Sequence, residues 1–377
     1  MKRVGIIGGG QLAWMMADAA KKLGVELVVQ TPSKDDPAVS IAQETVFAPV
    51  DDALATEILA TKCDVISFEN EFVNLNALSS LAHQGVCFRP RLEALTPILD
   101  KYHQRCYLRD LGLPVPHFFA VEQENLASKI ESLDFPLVLK ARRHGYDGQG
   151  TFIIQDLATL QEKLNSSKNL FLIEEFVPFE RELAIIAARS VQGDVVTYPV
   201  VETQQEQQVC RRVIAPADIT VNQAAEIAAI AHTLLNSLEV VGVFGIELFL
   251  TGDGQVLVNE IAPRTHNSGH FSLDACKTSQ FEQHLRAVCG LTLGDPALQC
   301  ASAVMVNLLG YENSFSDYQS QRQKLAAIPQ AHVHWYGKSE SRPGRKLGHV
   351  TVLLNHQNRD AAIATAHTVE SIWYSNQ

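Results

Sequence analysis

Two carboxylates stand in otherwise apolar runs: Glu247 in GIELFL and Glu260 in VLVNEI, on either side of Asp253-Gly254. Asp-Gly between such runs signals a two-residue hairpin turn. That turn would place Glu247 directly opposite Glu260 on one sheet face. Like charges so placed destabilise a sheet by roughly 0.2–1 kcal/mol. A divalent cation would neutralise them, and all-oxygen donors suit Mg²⁺. The plain alternative is a pair of rim carboxylates in water. The polar run Arg264-Thr265-His266-Asn267-Ser268-Gly269-His270 follows at once. So much polarity directly after a buried strand fits a site loop better than a core.

Three further runs could hold phosphate. Lys140 leads into Ala-Arg-Arg-His-Gly-Tyr-Asp-Gly-Gln-Gly150, a glycine-rich connection between two strand-like segments. Backbone N–H groups of such a loop can cradle phosphate oxygens, with Lys140 as a point charge. No GKS or GKT occurs, so it is not a Walker A loop; otherwise it is a solvated basic hairpin. Arg342-Pro-Gly-Arg345-Lys346 is a basic turn in an acidic chain, either a solvated face or a phosphate site. Gly8-Gly-Gly-Gln11-Leu12-Ala13 fits the dinucleotide fingerprint with alanine last. That fingerprint calls for an acidic residue at the end of the second strand. Val28-Val-Gln-Thr-Pro32 has none, which disfavours NAD. A tight turn, or a loop for another phosphorylated ligand at a helix N-terminus, remains.

The elements that must position these residues follow from composition and pattern. The 377 residues are 46% hydrophobic and 19% charged, globular values with room for two or three packed units. A net charge of -11 gives no bulk electrostatic reason to bind nucleic acid or an anionic membrane. Seven scattered cysteines without a CxxC pair argue for a reducing compartment, against a disulfide frame or zinc site. The basic-apolar N-terminus is broken by glycines, so it reads as strand, loop and helix rather than a signal peptide. No run approaches the ~20 apolar residues of a membrane span. A soluble cytoplasmic protein is expected.

The first hundred residues alternate strand and helix: strands over Val4 to Ile7, Glu26 to Gln30 and Asp64 to Phe68, and a helix over Gln11 to Leu23. That rhythm implies a parallel sheet. An amphipathic helix is expected from Ile98 to Leu111. FPLVLKA, TFIIQ, NLFLIEEFV, LAIIAAR, DVVTYPVV, VFGIELFL and QVLVNEI read as strands, with a helix from Asn222 to Leu238. SAVMVNLLG, HVHWYG and GHVTVLL are smaller strands before a closing helix.

Lys140 on its strand, the YDGQG loop, IEEFV with Glu182 downstream, and Glu247 with Asn259-Glu260 resemble the ATP-grasp fold. Within it, GGGQLAWM, HGYDGQG, NEIAPRTHNSGH and HWYGKSESRPGRKLGH resemble N5-carboxyaminoimidazole ribonucleotide synthetases, the ATPase subunits of phosphoribosylaminoimidazole carboxylase. The likeness spans essentially the whole chain. It implies an α/β and α+β architecture: a Rossmann-like parallel domain over 1–97, an ATP-grasp domain over 98–300 and a small β-rich domain over 301–377. The middle domain would divide into a lid-bearing part, 98–175, and a larger part, 176–300.

The resemblance implies ATP-, Mg²⁺- and bicarbonate-dependent carboxylation of 5-aminoimidazole ribonucleotide in purine biosynthesis, by a cytoplasmic homodimer with two Mg²⁺ ions, Mn²⁺ being an alternative. Lys101, Lys140, Gly145, Tyr146, Asp147, Gly148, Gln149, Gly150, Thr151, Glu182, Asn259 and Glu260 would hold ATP. Glu174, Glu175, Phe176 and Val177 would meet its adenine. Glu247 and Glu260 would bind metal. Gln11, Leu12, Glu69, Tyr146, Asp147, His266 and Asn267 would face the ribonucleotide, with Arg345 and Lys346 on its phosphate. Asp147, then His266, would accept the amine proton, and Arg264 and Lys140 would complete the catalytic set. Gln205 stands where the family usually carries a histidine. Another ATP-grasp ligase of a phosphorylated small molecule, or a non-catalytic nucleotide-binding protein, is the rival expectation.

Overall fold

The computed structural model describes residues 1–121, 135–143, 150–167, 169–206 and 208–375. Its N-terminal part is a parallel sheet of β1 (Lys2–Ile7), β2 (Val25–Thr31), β3 (Glu44–Phe47) and β4 (Val65–Phe68), in the order β3-β2-β1-β4. The expected helix after β1 is two segments, Gln11–Trp14 and Ala17–Leu23. Between them the Met16 N–H bonds Ala13 O, three residues back, and the chain bends over the buried Met15 and Met16. Strand β3 was not legible, because ETVF is too short to carry a period.

A small antiparallel sheet, order β5-β8-β6-β7, comprises β5 (Phe118–Ala120), β6 (Leu137–Ala141), β7 (Thr151–Ile154) and β8 (Phe171–Glu175). The large sheet holds β9 (Phe179–Arg189), β10 (Val195–Thr197), β11 (Val201–Glu206), β12 (Val209–Ala215), β13 (Gly242–Thr251), β14 (Val256–Ala262), β15 (Ser302–Leu309), β16 (Ala331–Trp335) and β17 (Lys346–Leu354). Its order is β14-β13-β9-β11-β12-β15-β17-β16, with β10 on β9. DVVTYPVV is therefore split between β10 and β11. VCRRVIA, unexpected because two arginines interrupt its apolar pattern, forms the central strand β12. Strand β12 pairs with β15 from Arg212↔Val306 to Ala215↔Ala303, so the C-terminal strands extend the large sheet instead of building their own.

The helix Val221–Leu238 covers one face of this sheet. Thr220 and Gln223 form a capping box at its start. Ile227, Ile230, Leu234, Leu235 and Leu238 then pack against Leu183, Ile185, Ile246 and Leu248. Side chains alternate along a strand, so Glu182, Glu247 and Phe249 point to the other face. The N-terminal sheet docks through the helix Gln280–Cys289. His284 Nδ1 accepts from the Val243 N–H, so its Nε2 carries the proton toward Ser67 Oγ, 2.8 Å away. Arg89 Nη1 donates to Val288 O at the helix end, where a cation is favourable. No helix among the described residues is long and apolar enough to cross a membrane.

Candidate active site

Strands β13 and β14 bring Glu247 opposite Glu260, as expected, but by another route. The turn is Gly252-Asp253-Gly254, three residues rather than two, with the Thr251 N–H on Gln255 O and Gly254 at φ +85°. From Leu250↔Val256 to Leu248↔Val258 the register follows that turn, and it would set Asn259 opposite Glu247. A bulge at Asn259 shifts the register by one and delivers Glu260 instead.

The helix Lys101–Asp110, capped by Asp100, presents Lys101, Gln104 and Arg105 on one face. Gln104 accepts from Ile261 N and donates to Ile261 O, seating the helix on β14. Lys101 Nζ then lies 2.9 Å from Glu260 Oε2. Burial alone would raise Glu260, but the Lys101 ammonium outweighs it and holds the carboxyl below its ordinary range. Among the described residues no Lys or Arg pairs with Glu247. Burial, with Glu260 and Glu182 nearby, pushes it up to about 7. Glu182, on β9, is likewise raised by burial to about 7. His266 Nε2 sits 3.5 Å from Glu247 Oε1, and its Nδ1 faces Ser268 Oγ at 2.8 Å.

Lys140 projects from β6 and is almost fully buried. Its Nζ donates to Asn259 Oδ1 at 2.9 Å and pairs with Glu174 Oε2 at 2.7 Å. Arg105 meets the other Glu174 oxygen at 2.5 Å and also donates to Asn259 O at 2.6 Å. Burial opposes the Glu174 charge, yet Arg105 and Lys140 overcome it and bring the carboxyl down to about 2. Burial lowers Lys140 in turn. The Glu174 carboxylate thus anchors two cations, whereas Glu175, Phe176 and Val177 lie further along the cleft wall. Phe179 and Phe249 stack at 4.7 Å beside them.

On the N-terminal side Glu69 takes the Gly10 N–H at 3.0 Å and the Leu12 N–H at 3.2 Å. Burial raises this carboxyl, against those two bonds. A side chain at Gly8, whose φ is +118°, would collide with Glu69 and Asn70. The glycine run therefore accommodates a carboxylate of this same chain where a dinucleotide would put its pyrophosphate, a physical reason beside the missing acidic residue for rejecting NAD. Gln11 accepts from Lys338 Nζ at 2.6 Å, and Lys338 also donates to Lys346 O at 2.8 Å.

One cleft of about 1500 Å³ unites these groups. Its lining includes Gln11, Leu12, Glu69, Lys101, Lys140, Thr151, Glu174, Glu182, Glu247, Asn259, Glu260, Arg264, His266, Asn267, Arg345 and Lys346. Gln205 lines it too, while Gln204 turns toward Glu202 and Arg212. The Asn267 amide exchanges two hydrogen bonds, at 3.0 and 2.8 Å, with Asn307, so it braces the loop. Gly150 accepts the Ala141 N–H through its carbonyl at 2.7 Å. Gly145, Tyr146, Asp147, Gly148 and Gln149 lie outside the described residues.

Residues 1–98 match the ribonucleotide synthetase preATP-grasp domain, 106–281 the ATP-grasp domain, and 303–362 the phosphoribosylaminoimidazole carboxylase C-terminal domain. The N5-carboxyaminoimidazole ribonucleotide synthase of Synechocystis is 54% identical, over 98% of each chain. The chain belongs to the N5-carboxyaminoimidazole ribonucleotide synthase family. An Aspergillus clavatus carboxyaminoimidazole ribonucleotide synthase solved with ATP is similar at a TM-score of 0.92 and 30% identity, over 100% of this chain and 99% of that one. The A. clavatus N5-carboxyaminoimidazole synthase solved with ADP and 5-aminoimidazole ribonucleotide matches at 0.90 and 29%, over 99% of each.

Sequence reasoning about this family member missed Arg105, Glu71 and Lys338. Arg105 was findable as the i+4 neighbour of Lys101 on an amphipathic helix. Glu71 lies two residues beyond Glu69, and its Oε1 is 2.8 Å from Arg264 Nε. Lys338 belongs to the HWYGK run but had no partner that sequence could supply. Elsewhere Asp274, His334 and His349 offer three ligand atoms within 4.8 Å. The two rings stack at 4.5 Å and 14°, so their in-plane lone pairs run side by side instead of converging on an ion.

Proposed function

We propose that the protein uses ATP to carboxylate 5-aminoimidazole ribonucleotide with bicarbonate, giving N5-carboxyaminoimidazole ribonucleotide, ADP and phosphate in purine biosynthesis. The observation that carries this is the single cleft. It runs from the Phe179–Phe249 stack past Glu247 and Glu260 to Arg345, Lys346 and Glu69, with room for two phosphorylated substrates end to end.

Bicarbonate is a poor electrophile until an oxygen is made a leaving group. Transfer of the γ-phosphoryl group to it gives carboxyphosphate. Two anions must be brought together, so catalysis is mainly positioning and cation shielding. Lys140, oriented by Glu174 and Asn259, supplies one fixed positive charge. Glu247, Glu260 and Asn259 fit Mg²⁺ as an all-oxygen donor set, and a Glu247 carboxyl raised to about 7 marks charge that a cation would stabilise. When bound, the ion shields the phosphate oxygens of the nucleotide. Arg264 is assigned to bicarbonate or the transferring phosphoryl group. The exocyclic amine of the ribonucleotide then attacks the carboxyl carbon, phosphate leaves, and the amine proton passes to Asp147 or, failing it, His266. Arg345 and Lys346 are assigned to the 5′-phosphate. The resemblance also implies a cytoplasmic homodimer, which light scattering tests for assembly.

Phosphate release from ATP with Mg²⁺ and bicarbonate, with and without the ribonucleotide, tests the reading. Strong stimulation with an acid-labile carboxylated product is expected. Turnover indifferent to the ribonucleotide would transfer the chemistry to another phosphorylated acceptor.

A further inference from the structure

Arg264 is held in a way that the reaction alone does not explain. It follows β14 by two residues and lines the cleft beside Glu260 and His266. Its Nη1 donates to Thr265 O at 3.0 Å, a local bond within its own loop. Among the described residues its ion-pair partner from another part of the chain is Glu71, whose Oε1 is 2.8 Å from Nε. A guanidinium is a rigid planar fork. The Nη1 bond ties the guanidinium to its own loop, and the ion pair with Glu71 ties it to the N-terminal sheet.

Glu71 reaches Arg264 from the loop that follows β4 in the N-terminal sheet. That loop is anchored twice. Glu69 binds the backbone of Gly10 and Leu12, on the side assigned to the ribonucleotide. Glu71, two residues on, binds Arg264, on the side assigned to the small anion. The pair is partly exposed, at 20% and 28% of the side chains. Both residues line the cleft, so the pair acts on the geometry of the anion site.

We propose that Glu71 is a positioning residue, which holds the Arg264 guanidinium at the bicarbonate site and ties its placement to the ribonucleotide-binding loop. The inference rests on the assignment of Arg264 to bicarbonate above. Glu71 touches no reacting atom; it acts through Arg264.

The test is steady-state phosphate release by the full-length Glu71→Gln protein, with bicarbonate varied at saturating MgATP and ribonucleotide. The bicarbonate KM should rise about tenfold, as expected for loss of an interaction made with the bound substrate. The ATP KM should stay within about twofold and the melting temperature should not move. Glu71→Asp, which keeps the charge on a shorter arm, should fall between the two. An unchanged bicarbonate KM, an equal rise in the ATP KM, or a rise confined to the ribonucleotide KM would each overturn the proposal. Failure of the underlying reading is separable, because wild-type turnover would then need neither bicarbonate nor ribonucleotide.

Discussion

Glu174 shows what a buried charge costs when its partners are kept. It faces Arg105 and Lys140 at 2.5 and 2.7 Å with the side chain 2% exposed. Glu174→Ala would leave two buried cations uncompensated, so we expect a loss of about 3–5 kcal/mol in urea unfolding, together with a displaced Lys140. Glu260→Gln should spare folding and act on chemistry instead. Loss of a proposed metal ligand should weaken Mg²⁺-dependent ATP turnover by more than roughly 100-fold, read as phosphate release across a Mg²⁺ titration. Lys140, Glu247, Glu260 and Arg264 were legible because each is a charged residue in or just after an apolar run, where charge needs a reason. Glu71 and Lys338 were not, because their partners lie 193 and 327 residues away along the chain; Arg105 shares a helix face with Lys101, but its partner Glu174, 69 residues on, was not legible either.

At the scale of elements the hairpin Gly242–Ala262 is the instructive case. Its pairing of Glu247 with Glu260 was anticipated from Asp253-Gly254, yet the turn has an extra residue and the bulge at Asn259 compensates for it. Turn type and bulge each shift register by one, and sequence patterning reads only their sum. Strands with a clean apolar run were found; β12 was missed because its arginines serve ion pairs with Glu370 and Glu206, which periodicity cannot see. The helix Val221–Leu238 was placed almost to the residue from its apolar stripe, and Thr220 caps it where that stripe begins. Thr220→Ala should cost about 1 kcal/mol in denaturant unfolding and leave turnover unchanged, because that helix covers the face away from the cleft.

For the whole molecule, the docking of the N-terminal sheet on the helix Gln280–Cys289 sets a pH dependence. Burial pushes His284 down to about 4 from an ordinary 6.5. Burial likewise holds His270 and His349 far below that value. At these histidines the unfolded chain binds protons between pH 6.5 and 4 that the folded one does not, so their contribution to stability is present above that window and falls as pH falls through it, while Glu182 and Glu247, raised to about 7, contribute in the opposite sense. His284→Asn should remove that histidine's share, so in thermal melts the variant should lose less stability than the parent, or gain more, between pH 7.5 and about pH 5. Strand–helix alternation made the parallel first part legible, and the division into three came with the family resemblance, which the three matched domains bear out. The joining of β12 to β15 was not, since backbone pairing between distant strands leaves no mark in composition. That seam bears on how such a chain can be taken apart. A cut near residue 300 would fall between loops in the sequence but would strip β12 of its neighbour, leaving a naked, adhesive rim. The last part therefore cannot be grafted, swapped or expressed as a cassette at that point; an exchange that keeps the fold intact must carry both sides of the seam together.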